Sequence, residues 1–180
     1  MRVIAGKYKG RTLFSPKDAS VRPTTDRIKE NVFNLVQGRI VGSAFLDLFG
    51  GSGAMSVEAL SRGAARTVTV DASRDSIDLI KRNFQKMGVG REGAILELTY
   101  DVALKRLVGE RFDLIYLDPP FRAPYIADIF ERIAEANLLQ DGGVVVYEHA
   151  TEIAFSPASE WRVIDTRKYG SVTIEILERS

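Results

Sequence analysis

From residue 44 onward the apolar positions gather into short runs separated by stretches of helical period. The runs 44–48, 67–70, 94–98, 112–117 and 144–147 read as strands buried on both faces. Between them, 54–62, 73–87, 102–108 and 126–139 carry the spacing of amphipathic helices. Strand alternating with helix predicts an α/β fold built on a doubly wound, mostly parallel sheet. The end differs: 161–166 and 171–177 are strand-like and separated by a short turn at 167–170, which predicts an antiparallel hairpin closing the sheet. Ahead of the first strand, Ile28, Val32, Leu35 and Val36 share one face of a helix over 24–37, capped by Thr24 or Thr25 and ended by Gly38. The β-like segments 2–5 and 11–14 flank the loop 6–10 and predict a small hairpin with Tyr8 at its tip. The expected division is therefore an N-terminal extension and connector, 1–23, followed by one domain, 24–180.

Charge changes this picture locally. The net charge is +1, yet residues 1–29 hold Arg2, Lys7, Lys9, Arg11, Lys17, Arg22, Arg27 and Lys29 against only Asp18 and Asp26. Such a basic extension points to a polyanion, with nucleic acid first among the candidates. Lys7, Lys9, Arg11, Arg22 and Arg27 are the candidate contacts there, joined by Arg167 and Lys168 in the last turn. That turn follows a strand running with the parallel ones, so it is expected to open on the edge where such sheets bind ligands. A hairpin projecting toward the same edge would let the two basic groups flank one bound strand.

With 180 residues, 45% of them hydrophobic, one well-buried core is expected. The chain has no cysteine and a single histidine, His149, which excludes disulfides, thiolate chemistry and a multi-histidine metal site. No metal is expected. No apolar run approaches the ~20 residues of a membrane span and no secretory core opens the chain, so a cytoplasmic, monomeric protein is expected.

Candidate chemistry lies at strand ends. Asp47-Leu48-Phe49-Gly50-Gly51-Ser52-Gly53 leaves the first central strand and enters a helix, where glycines let the backbone approach a cofactor. As a dinucleotide fingerprint it is a mediocre match, since Ser56 stands where glycine or alanine is required. Asp71 ends the second strand, where an acid can bind ribose hydroxyls, and Asp101 follows the third, where it can accept from an adenine amine. Each acid taken alone is more often a helix cap. Asp118-Pro119-Pro120-Phe121 ends the fourth strand: a carboxylate, two prolines without N–H groups and an aromatic face. Acceptors fixed beside a flat apolar surface suit a planar group bearing an NH2, such as a base amine. The bland alternative makes Asp118 the cap of the helix near Tyr125.

Taken together, the chain resembles the RsmD family of class I S-adenosylmethionine-dependent methyltransferases, which act on guanine N2 of small-subunit (16S) ribosomal RNA. The resemblance rests on Ile4-Ala5-Gly6-Lys7 with Gly10-Arg11, on Arg22-Pro23-Thr24-Thr25-Asp26-Arg27 with Glu30 and Phe33-Asn34, and on Asp47 to Gly53. Glu58-Ala59-Leu60-Ser61-Arg62-Gly63 and Asp118 to Phe121 complete it. It implies a seven-stranded Rossmann-like sheet with a β-hairpin extension. It further implies that Gly51 and Gly53 lie against the methionine part of the cofactor, with Asp47 and Thr25 in the same set. Asp71 would hold the ribose, Asp101 lie near the adenine, and Asp118, Pro119, Pro120 and Phe121 form the catalytic corner. Gly50 stands where the family often has alanine, and Asp71 where a glutamate is common.

The implied partner is ribosomal RNA within a small-subunit particle or assembly intermediate, with the target base unstacked. Three other readings compete: methylation of another base amine such as adenine N6, a nicotinamide-dependent oxidoreductase, and an RNA-binding assembly factor without catalysis.

Overall fold

The computed structural model describes residues 1–16, 25–120 and 124–180. Seven strands form one sheet in the order β3-β2-β1-β4-β5-β7-β6. These are β1 (Ala44–Asp47), β2 (Arg66–Asp71), β3 (Gly93–Glu97), β4 (Phe112–Leu117), β5 (Leu139–Ala150), β6 (Trp161–Tyr169) and β7 (Val172–Arg179). The first five run parallel, and β7 pairs antiparallel with both β5 and β6. The helices are α1 (Asp26–Leu35), α2 (Ala54–Ser61), α3 (Arg74–Met87), α4 (Tyr100–Arg106) and α5 (Ile126–Glu135). α4 and α5 cover one face, packing on Leu46, Val70, Ile115 and Tyr147, while α1 to α3 cover the other.

Several boundaries differ from the sequence reading, β5 for one running from Leu139 to Ala150 where 144–147 was expected, and three have plain local causes. α1 stops at Leu35, and Gly38 sits within a separate 3₁₀ turn, Gln37–Arg39, not at the helix end. α5 stops at Glu135, short of the expected 139, because Asn137 turns into the left-handed region at φ 50° and Leu139 pairs with Phe112 to open β5. β6 continues through Arg167 and Lys168, so the last turn contracts to Gly170, at φ 64°, and Ser171.

The N-terminal segment does fold back on itself, with one bridge between Arg2 and Thr12, but it is a strap docked on α2 and α3 more than a free hairpin. Gly6, at φ 81°, lies so close to the end of α2 that a Cβ would stand 1.7 Å from the Ser61 carbonyl oxygen. No other residue fits. The amides of Lys7 and Tyr8 then donate to the Ser61 carbonyl oxygen and Oγ, at 2.8 and 2.9 Å. Glu58, fully buried on α2, accepts the backbone amides of Ile4 and Ala5 at 2.9 and 3.0 Å. It also meets Arg62 at 2.8 Å and buried Lys29 at 3.5 Å. Tyr8, expected at the tip, is buried against α2 and α3.

This docking fixes where the basic tip points. α2 and α3 leave the carboxyl edge of the sheet and end at its amino edge, and Lys7, Tyr8 and Lys9 sit beside those helix ends. Arg11 donates to the carbonyls of Lys86 and Met87 at the end of α3, capping that helix. The tip therefore faces away from the ligand-binding edge, about 20 Å from it along the length of α3. Among the described residues of the strap, its two ends, Met1 and Pro16, reach the crevice at the carboxyl edge.

Candidate active site

At the carboxyl edge the loop after β1 is shaped by its neighbours. Gly51 adopts φ 56°, and nothing lies within 4 Å of where its Cβ would be, so its backbone faces open space that a ligand can fill. Gly50 is the opposite case. A Cβ there would stand 2.4 Å from Cγ2 of Thr69, which explains glycine where an alanine is common. Asp71 holds the loop from across the sheet, one carboxylate oxygen accepting from Gly51 N and the other from Ser73 N, both at 2.8 Å. Asn83 ties the loop to the strap: its amide donates to the carbonyls of Ser52 and Phe14, at 2.8 and 3.1 Å.

A crevice of about 1250 Å³ opens here. Gly51, Asp71, Asp101, Thr25, Asp118, Pro119 and Pro120 all line it. Asp47 and Gly53 lie beneath the wall and not in it. Burial, and then the nearby Asp71 charge, push the Asp47 carboxyl up to about 7, although Ser56 and the Phe49 amide favour its ionised form. Thr25 also caps α1, its hydroxyl accepting from Ile28 N at 3.2 Å. Asp101 stands in the first turn of α4, where bonds from the Thr99 side chain and from nearby backbone amides hold its carboxyl below the usual range. Between Asp101 and the prolines, Tyr100 and Tyr125 stack with centroids 4.8 Å apart and donate a flat apolar wall.

Asp118 follows β4 at this edge. α5 starts after Tyr125, whose own side chain makes no cap bond. Phe121 and Arg22 lie outside the described residues. Of the remaining basic candidates, Arg27 is exposed two residues after Thr25, which lines the crevice, and Arg167 and Lys168 approach the Ser171 turn that lines it. Arg167 is already paired with Asp165 at 2.9 Å. Lys7, Lys9 and Arg11 are at the far edge.

Two crevice residues escaped the sequence reading. Glu148, on β5, lines the crevice and accepts the Tyr116 hydroxyl at 2.5 Å. His149 follows it, with its ring stacked on Tyr147 at 4.7 Å and Nε2 3.7 Å from Glu175. A signal existed for Glu148, because a glutamate directly after an apolar run is out of place in a buried strand and sits level with Asp118 once the strands are paired. Among the described residues, no acidic or histidine cluster is placed to hold a metal ion, and no helix is long and apolar enough to cross a membrane.

Comparison with known proteins agrees with this geometry. The YlbH protein of Bacillus subtilis is 35% identical over 185 residues, covering 99% of each chain. The ribosomal RNA small subunit methyltransferase D of Escherichia coli is 28% identical, with 99% of this chain and 90% of that protein aligned. The solved structure of the Escherichia coli protein yhhF superposes with a TM-score of 0.88 at 27% identity, covering 99% of this chain and 97% of that one. A family model described as "Conserved hypothetical protein 95" matches residues 1–178. With a fold, a glycine loop and an Asp-Pro-Pro corner that all agree, the chain belongs to the RsmD family of methyltransferases.

Proposed function

We propose that this enzyme transfers a methyl group from S-adenosylmethionine to guanine N2 in 16S ribosomal RNA, within a small-subunit particle or assembly intermediate. The observation that carries the reading is the pairing, in one crevice, of an open glycine backbone at Gly51 with the Asp118-Pro119-Pro120 corner. The first suits a cofactor, the second an amine. The relatives named as small-subunit methyltransferases supply the RNA class.

The donor fits the wall facing Gly51: Asp71 is positioned for ribose hydroxyls, and the Leu98 to Asp101 stretch, backed by Tyr100, for a flat base. Each oxygen of Asp71 already accepts one hydrogen bond, from Gly51 of the loop and from Ser73 at the start of α3, so ribose binding would add to an acceptor that is held in place. The donor supplies a methyl on a positive sulfur, already activated for displacement. What remains for the protein is to prepare the amine, whose lone pair is delocalised into the base ring. Asp118 and the Pro119 carbonyl would accept its two hydrogens, favouring a pyramidal nitrogen whose lone pair points at the methyl group. As the N–C bond forms the nitrogen becomes positive, and one proton passes to Asp118 or to water. Positioning then contributes much of the rate, since aligned reactants reach effective molarities of ~10⁵ M or more.

Supplying labelled S-adenosylmethionine with unmodified small-subunit RNA and, separately, with particles tests this reading. A single labelled guanosine is expected. Label at adenosine, or none in either substrate, overturns it.

A further inference from the structure

The reaction just described uses one carboxylate on the amine, yet a second stands beside it in the crevice wall. β4 and β5 are parallel and pair Leu117 with Tyr147, so Asp118 and Glu148 are neighbours across the ladder, on strands about 4.8 Å apart. Tyr116 shares a face of the sheet with Glu148 and donates its hydroxyl to Oε2. Burial first, and then the charges of Glu148 and Asp118, hold the Tyr116 hydroxyl well above its usual pKa, so it stays a donor at any working pH. Glu148 is only 8% exposed, and that exposure is to the crevice. His149, stacked on Tyr147, and Glu175 beside it lie on the opposite face of the sheet.

We propose that Glu148 is the specificity-determining residue that selects guanine, by accepting the ring N1–H beside the amine held at Asp118. This rests on the reading of the site given above. An exocyclic amine alone does not distinguish bases, because adenine, cytosine and guanine all carry one. Their ring neighbours do. In guanine the atom beside the amine on the Watson–Crick edge is N1–H, a donor, whereas in adenine and cytosine it is an unprotonated nitrogen. A carboxylate at that point gains a charge-assisted bond from guanine and faces a lone pair in the other two. A buried acceptor left facing a lone pair is the arrangement by which a site rejects an analogue strongly.

The test uses 2-aminopurine, which keeps the amine but has a bare N1. Particles are assembled on RNA ligated to carry guanosine or 2-aminopurine at the mapped target. The wild-type enzyme is expected to favour guanosine at least ~100-fold in kcat/KM. Glu148→Gln can donate from its amide to a bare N1. It is expected to lose roughly 10- to 100-fold on guanosine and to narrow the preference at least tenfold, with unchanged S-adenosylhomocysteine affinity by calorimetry. Tyr116→Phe, which only releases the carboxylate, narrows the preference less. A wild-type enzyme indifferent to N1, or a Glu148→Gln enzyme with full guanine preference and intact ligand binding, overturns the assignment. Should Glu148→Gln fail to fold, the wild-type comparison and Tyr116→Phe decide. A wild-type enzyme that methylates no guanosine overturns the function itself, a result distinct from loss of N1 discrimination.

Discussion

Glu58 and Asp118 are carboxylates from two motif-dense stretches of the sequence, and they stand toward opposite edges of the sheet. Glu58 is sealed: two backbone amides, Arg62 and Lys29 surround it, and its side chain has no exposure to water. Asp118 is half-buried on a crevice wall. Nothing in the residue types separates the two. What separates them is whether the neighbouring chain has filled the space in front of the carboxylate. At the amino edge the strap does so, and at the carboxyl edge the described residues leave a crevice. A buried charge whose partners all come from the protein marks docking, and one that faces a cavity marks chemistry.

That comparison can be broken most severely at Glu58. Glu58→Ala leaves Lys29 buried without its nearest acid, and should cost about 3–5 kcal/mol in urea unfolding while the folded fraction retains its turnover. Lost turnover at full stability would move Glu58 to the chemical side. Asp118→Ala is the mirror case. Transfer should fall at least about 100- to 1000-fold, with the unfolding midpoint and cofactor affinity little changed. Near-normal turnover would remove Asp118 from the mechanism.

Asp47 sharpens the contrast as a buried carboxylate short of partners, with Oδ1 receiving no hydrogen bond. Its folded pKa of about 7 exceeds the ordinary 3.8, so the folded protein holds a proton that the unfolded chain releases. Stability from this group is therefore highest below about pH 4, falls as pH rises toward 7, and levels off above it. Asp47→Asn should reduce the loss of stability between about pH 4 and pH 8 by roughly 2–4 kcal/mol relative to wild type, read by urea titration at each pH. An identical pH profile in the variant would show that Asp47 is ionised throughout. Asp71→Ala should weaken S-adenosylhomocysteine binding by about 1.5–3 kcal/mol in calorimetry. Unchanged affinity would confine Asp71 to shaping the loop.

The smallest effect belongs to the strap tip. Lys7→Ala with Lys9→Ala should alter stability by less than about 0.5 kcal/mol. With the tip at the amino edge, RNA affinity and its salt slope should stay at wild-type values. A slope flattened by roughly 0.7 per lysine would show that the substrate wraps around to that edge. Arg11 is left out of this variant because it caps α3.

The parallel strands were legible because their apolar runs are long and buried on both faces, and β4 matches its expected bounds to the residue. Helix α5 was overextended because Ala134, Glu135 and Ala136 favour helix, while the stop is set by a contact that sequence does not display, the pairing of Leu139 with Phe112. Arg167 and Lys168 read as a turn because they are polar, yet an edge strand needs no apolar outer face. The glycine loop, Asp71, Asp101 and Asp118 were visible as acids and glycines at strand ends. The direction of the basic tip was not, since it depends on Gly6 seating against Ser61, a close approach between residues 55 apart in the chain. Glu148 required the β4–β5 register before its place beside Asp118 could be seen.

The strand order holds one further consequence, for the order in which the molecule is made. β7 is synthesised after β5 and β6 but lies between them, pairing Val145 with Leu177 on one side and Trp161 with Arg179 on the other. While it is still inside the ribosome, β5 presents an open edge and β6 has no neighbour to join. The nascent chain thus has an unpaired β5 at the strand that carries Glu148, and that edge closes only when the final hairpin folds back to insert its second strand. The crevice wall at Glu148 is completed only once β7 has emerged, so an enzyme proposed to serve ribosome assembly gains its own finished site after every other strand of its sheet has been made.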